Sequence, residues 1–518
     1  MDRPQTLLGL VALPGGGPPI QRAVRVSSHR IVEVGPPRSV LARADRSEQV
    51  HVISAGAILP GFIDSHVHLT LTGLGLLGAQ VGGCASVAEL LEALTSWAER
   101  ADPSWPVWAH GVSPGRLREG RCATRTELDR VFPIRPAFLV DRGHHAAYAN
   151  SAALTALAEV DPIVVDADGS GTLIGAANTA AKRAFARLTP REARMEAIRR
   201  AAALAAGSGT TSVHALEGDW SGAEDPALIG AISDSLPVRT VVYDQTPDVE
   251  RAVAGGTRRI GGDIWLDGGL YQRTAAFFEP YADDPSARGT LYYADEAIHG
   301  FMLRAHTAGL QIAVHAIGDR AIQQALDGYA RAQAAYTRLD ARHRIEHFTY
   351  ATRAQHRQAA DLGIALSLQA NVPMSWEQDQ EMTTRYLGAE RAHRKTHVRR
   401  ALDAGALVAG GSDADVRPML PLAAMRYLVE DPRPGRSISL DEAVAMYTVG
   451  AAAAAFQEHL VGSIEPGTLA DLVVLSGDPW QEGLGTVAVR ATIVGGRVAS
   501  GALPPPISAA EALVSLES

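Results

Sequence analysis

The stretch Pro60-Gly61-Phe62-Ile63-Asp64-Ser65-His66-Val67-His68 constrains this chain most. It closes an apolar run, and residues two apart on an extended strand point to one face, so His66 and His68 present two imidazoles side by side. Imidazole is a common ligand of catalytic zinc, and two of them do not complete a site. Three further segments supply what is missing: Gln311-Ile312-Ala313-Val314-His315-Ala316, Arg344-Ile345-Glu346-His347-Phe348 and Leu407-Val408-Ala409-Gly410-Gly411-Ser412-Asp413. The first and third are short apolar runs ending in a metal-capable side chain, as buried parallel strands do. Taken singly, each has an ordinary reading: His315 or His347 as a structural histidine, Asp413 as a helix cap after Ser412. Taken together and in this order, they read as a metal site.

Composition bounds the alternatives. At 518 residues the chain is long enough for one large domain with accessories. A net charge of −9, with arginines scattered through Ala-rich stretches, argues against nucleic acid as a partner. Two cysteines, Cys84 and Cys122, imply neither a disulfide framework nor a thiolate metal site. The apolar run from Leu7 to Leu13 is short for a signal peptide and too short for a membrane span. The expectation is a cytoplasmic protein with a small-molecule substrate and no membrane partner, and a homo-oligomer is left open.

The order of segments suggests a fold. Short strand-like runs fill residues 1–57 and return at 456–518, with Gly495-Gly496 as a hairpin turn, so both ends are expected to build one β-domain. Between them, Ala/Leu/Arg-rich helical stretches alternate with apolar runs. Eight runs serve as barrel strands: Ile58–His66, Thr210–Ala215, Val238–Tyr243, Asp263–Asp267, Gln311–Ala316, Arg344–Thr349, Ile364–Gln369 and Leu407–Asp413. Eight parallel strands with helices make a (β/α)8 TIM barrel, whose active site lies at the strand C-terminal ends, where the proposed ligands fall. The first barrel strand is placed at 58–69 and the remainder of the barrel at 206–455. Residues 70–205 are too many for a simple crossover and read as an insertion or lid, from which His110, His144 and His145 could reach a substrate.

These motifs resemble the amidohydrolase superfamily, and within it the branch of N-substituted formamide deformylase. The resemblance rests on the His66/His68 segment, Asp267-Gly268-Gly269 with Arg273-Thr274-Ala275, and Val314-His315-Ala316-Ile317-Gly318-Asp319-Arg320. It continues through Arg342-His343-Arg344-Ile345-Glu346-His347, Gly411-Ser412-Asp413-Ala414 and Gly462-Ser463-Ile464-Glu465-Pro466-Gly467, with His145 to Ser151 resembling an insertion motif. It implies a barrel with a composite β-domain and one or two divalent metals, usually zinc. His66, His68 and His315 would be ligands, His347 a ligand or catalytic histidine, and Asp413 a ligand that shuttles the proton of the attacking water. His145, Asp267, Arg273 and Glu346 are expected near the substrate.

One position departs from the pattern. Where the branch often carries a bridging lysine, four residues before Asp267, this chain has Asp263. An aspartate is shorter than a carbamylated lysine, so one zinc, held by His66, His68, His315 and Asp413, is expected rather than two. The implied function is hydrolysis of a non-peptide C–N bond in an amide, formamide or cyclic amide by a zinc-activated water. Deamination of an amino-heterocycle is the alternative, and a non-catalytic binding barrel a further one.

Overall fold

The computed structural model describes residues 4–13, 15–142, 146–218, 222–370 and 376–516. Its centre is an eight-stranded parallel sheet of Phe62–Val67, Thr210–Gly218, Arg239–Gln245, Arg259–Trp265, Gln311–Ala316, Arg344–His347, Ala365–Gln369 and Leu407–Gly411, paired in chain order. The last strand returns to the first. Asp413 N–H donates to His66 O at 2.9 Å, and a parallel bridge joins Val67 to Ala414. The sheet is thus a TIM barrel, with helices such as Asp295–Thr307, Asp319–Ala335 and Arg353–Asp361 packed outside it.

All eight expected strands are present, with two shifts of boundary. Residues 58–60 end a strand of another sheet, Gln49–Pro60, and the barrel strand starts at Phe62. Gly61 sits between them because a Cβ there would lie 2.2 Å from Thr211 Cγ2. The fourth strand runs Arg259–Trp265, so Asp267 lies beyond its end. Its register slips between Ile260 and Ile264, where Gly261 (φ +90°) and Gly262 (φ +56°) take conformations closed to most side chains.

A second sheet draws on both ends of the chain. Its order is Arg497–Gly501, Val489–Val494, Leu472–Leu475, Gln49–Pro60, Gln5–Val11, Ile20–Ser27, Arg30–Gly35, with Ile507–Ser508 also against Gln49–Pro60. The expected Gly495-Gly496 turn is there, both residues at positive φ as a tight hairpin requires.

Between the first two barrel strands lies a four-stranded sheet of Val107–Val112, Ala137–Asp141, Ala146–Ala149 and Thr172–Ile174. Helix Gly175–Leu188 covers one face through Phe185, stacked on Phe138 at 4.7 Å and beside the fully buried Trp108. Among the described residues, no helix is long and apolar enough to cross a membrane.

Candidate active site

His66 and His68 leave the first barrel strand fully enclosed, and what lies behind each ring fixes its orientation. His66 Nδ1 is 2.9 Å from Glu346 Oε2, and His68 Nδ1 is 3.1 Å from Leu216 O. A backbone carbonyl accepts only, as does an ionised carboxylate, so both Nδ1 atoms carry the hydrogen and both Nε2 lone pairs face inward. They converge on Asp413 Oδ1, at 3.4 and 3.5 Å, and on Asp263, at 4.0 Å from Oδ1 and 3.7 Å from Oδ2. Across the cavity, His315 Nδ1 and His347 Nε2 lie 3.4 and 3.5 Å from Asp263 Oδ1.

Two groups of metal-ligand spacing result: His66, His68 and Asp263, and Asp263, His315 and His347, all buried. Donors bonded at ~2.0–2.1 Å to one tetrahedral ion stand about 3.3–3.4 Å apart, close to the shorter separations here. His66 Nε2, Asp263 Oδ1 and both ring nitrogens of His315 are buried without a hydrogen-bond partner among the described residues. Buried polar atoms are rarely left so, and lone pairs facing carboxylates fit a divalent cation.

The electrostatics agree. Burial opposes charge on Asp263 and Asp413, yet the surrounding histidines outweigh it and hold both carboxyls well below the usual range. Burial also works against protonation of His66 and His68, but their contacts with the carboxylates carry both above the ordinary histidine value. Two ionised carboxylates among four imidazoles make a cavity that attracts positive charge. The backbone is strained at the same place: His347 (φ +69°), Phe348 (φ +46°) and Asp413 (φ +62°) all lie in the left-handed region.

The geometry corrects several expectations. Asp263, set aside as too short to serve two metals, stands between both histidine pairs and offers an oxygen to each. The glycine bulge before it sets its depth, and Trp265 Nε1 donates to its Oδ2 at 2.9 Å. His315 groups with His347 and Asp263, not with His66 and His68. Glu346 does not face a substrate: it lies behind His66, gripped by Arg344 Nε and Nη2 at 2.8 and 2.9 Å. Asp267 is spent on the backbone, accepting from Ala276, Ile317 and Gly318 N–H at 2.7 to 2.9 Å. Its burial pushes the carboxyl up to about 7. Arg273 pairs with Asp283 at 2.7 Å and lies over the Tyr386 ring, so it braces a loop. His110 Nδ1 is 3.6 Å from Asp415 Oδ2. His144 and His145 lie outside the described residues.

Sequence reasoning missed Asp263, Trp265, and the buried Arg344, whose Nη1 is 3.0 Å from His214 Nδ1. The paired glycines Gly261-Gly262 inside a strand were the available signal, since such glycines mark bulges that re-aim a side chain.

A parallel β/α barrel with buried His/Asp groups of metal-ligand spacing at its strand ends is a frame shared by many metal-dependent hydrolases. Residues 56–499 match the profile of the Amidohydrolase family, and the chain belongs to that family. It is 28% identical over 504 residues to the N-substituted formamide deformylase of Arthrobacter pascens, covering 88% of this chain and 90% of that one. Protein LONG AFTER FAR-RED 3 of Arabidopsis thaliana is 29% identical over 523 residues, covering 92% and 88%. In fold it is similar to an uncharacterized metal-dependent hydrolase from Pyrococcus furiosus, with TM-score 0.76 and 24% identity over 92% of this chain and 99% of that one.

Proposed function

We propose that this protein hydrolyses a non-peptide C–N bond of a small amide, formamide or cyclic amide, using two divalent ions, zinc foremost. The observation that carries the reading is Asp263 shared between two histidine pairs, with Asp413 closing the first. The similarity to an N-substituted formamide deformylase over most of both chains supports the choice of bond.

His66, His68, Asp263 and Asp413 would hold one ion, and His315, His347 and Asp263 the other. Bound there, the metal supplies Lewis acidity and a water ionised near neutral pH. Asp413 Oδ1 faces the space between His66 and His68, placed to take a proton from the attacking water and return it to the leaving nitrogen. Glu346 keeps the His66 ring from turning, and Trp265 does the same for Asp263. The insertion brings His110 to Asp415, two residues beyond Asp413.

The test is a hydrolysis screen of zinc-loaded protein over formamides, N-acyl amines, cyclic imides and aminopyrimidines. Carboxylate plus amine from members of the first three classes is expected. Ring-derived ammonia from the last class alone would replace this reading with deamination.

A further inference from the structure

Beside the metal-ligand cluster, a small cavity of about 50 Å³ opens against the His347 ring, lined by Gln369, Lys395, Tyr427, Arg433 and Arg436. A water needs roughly 10–15 Å³ on this measure, so the space holds about three to four non-hydrogen atoms, the size of one carboxylate.

Its wall carries more positive than negative charge. Lys395 pairs with Asp379, while Arg433 and Arg436 share Asp431, so three cations face two carboxylates. The five groups are largely enclosed: Arg436, Asp431 and Asp379 side chains are at most 7% exposed, Arg433 13% and Lys395 20%. Arg436 is saturated, bonding Asp431 and the backbone carbonyls of His393 and Lys395. Arg433 is not. Its Nε and Nη2 serve Asp431 and Nη2 also reaches Tyr427 Oη, but Nη1 has no hydrogen bond among the described residues. An enclosed surplus cation is costly without a counter-charge, and a guanidinium edge suits a carboxylate.

Gln369 adds a second requirement. It is 4% exposed, its Nε2 is turned to Ser367, and its Oε1 is buried without a partner among the described residues. An orphaned acceptor beside a cation calls for a ligand carrying an N–H donor next to its anion.

We propose that this cavity is a subsite for a substrate carboxylate, so that the substrates are N-acyl or N-formyl amines bearing a carboxylate near the scissile nitrogen. The inference rests on the C–N hydrolysis reading above and narrows it. His347 is the wall common to both spaces, its Nε2 turned to Asp263, so the subsite lies one imidazole's width from the reacting carbon. A carboxylate two bonds from the amide nitrogen spans that width. Water adds across the acyl C–N bond, the nitrogen takes a proton, and a carboxylic acid and an amino acid leave.

The experiment uses zinc-loaded full-length protein, wild type and Arg433→Gln, a change that leaves Asp431 paired with Arg436. Turnover is compared for N-formylglycine and N-formylglycinamide. Binding is compared by calorimetry for N-(methylsulfonyl)glycine, which carries no scissile amide, and for its amide. The acid is expected to exceed the amide by roughly tenfold to hundredfold in kcat/KM and in affinity, the range of a charged hydrogen bond. Arg433→Gln should erase the advantage without altering the neutral compounds, and Arg433→Lys should restore part of it. Equal handling of acid and amide by the wild type, or an advantage unchanged in Arg433→Gln, would overturn the subsite. Because the wild-type ratio needs no variant, a misfolded Arg433→Gln leaves that judgement intact. Arg433-dependent binding of the sulfonyl acid without hydrolysis of any amide would instead overturn the activity and leave the subsite standing.

Discussion

Glu346 holds His66 from behind, its Oε2 2.9 Å from His66 Nδ1 while both its oxygens are gripped by Arg344, and all three side chains are fully enclosed. A ligand ring that cannot turn loses little freedom when it binds, so the pair links the barrel interior to the cluster above it.

Glu346→Gln should therefore act twice. Metal affinity is expected to fall roughly 10–100-fold, the usual effect of losing such a partner. Stability should fall by about 3–5 kcal/mol, because Arg344 keeps its charge in a dry interior without its carboxylate. Chelator competition reads the first and urea unfolding the second. Wild-type values in both would show that the contact does no positioning.

Asp263 is the residue on which the two groups depend together. The wild type should hold two metals per chain, Asp263→Ala close to none, and His315→Ala about one, by elemental analysis of dialysed protein. Chelation should abolish turnover and lower the melting temperature, since ions that bind only the folded state stabilise it. One metal per wild-type chain, retained in His315→Ala, would restore the single-ion arrangement.

Asp413→Asn should keep the fold and much of the metal but lose turnover by roughly 10²–10⁴ or more, because an amide cannot accept the proton of the attacking water. Metal content and rate need measuring on one preparation. Near-normal turnover would move the proton transfer to another group.

Acid should weaken the fold through histidines far from the metal-ligand cluster. Ile312 N–H donates to His343 Nδ1 at 3.0 Å, so His343 Nε2 carries the hydrogen and gives it to His306 Nδ1 at 2.7 Å. His306 Nε2 in turn donates to Tyr336 O at 2.6 Å, and no nitrogen remains to take a further proton. Burial pushes both histidines below their ordinary value and takes His356 down to about 4. Below about pH 6.5 the unfolded chain binds protons that the folded one refuses, so stability present above that pH is lost toward pH 4. The urea midpoint of metal-saturated protein should drop between pH 7 and 5, and less steeply in His356→Gln. Identical slopes would count against this account.

Most of the barrel was legible because its strands are apolar runs of strand length and its ligand residues sit where such runs end. His66 and His68 followed from period-two geometry alone. The division of ligands did not, because it depends on where Asp263 points, and the bulge at Gly261-Gly262 sets that. Asp267 illustrates the same limit. A carboxylate after a strand reads as substrate-facing, and only the folded loop shows three backbone N–H groups converging on it. Glu346 lies beside a ligand in sequence yet behind a different one in space, a relationship that strand pairing makes.

The sheet built from both chain ends has a consequence for biosynthesis. Pro60 and Leu472 are paired neighbours there, yet about 400 residues of chain separate them. At translation rates of about 5–20 residues per second, the strand Gln49–Pro60 waits roughly 20–80 s on the ribosome before its neighbour exists. Throughout that interval one edge of a sheet carrying Val50, Ile53, Ile58 and Leu59 lacks its partner, the kind of surface that recruits chaperones or pairs with another nascent chain. The yield of folded protein in a cell is thus tied to how that waiting strand is guarded, and slowing synthesis should lower it.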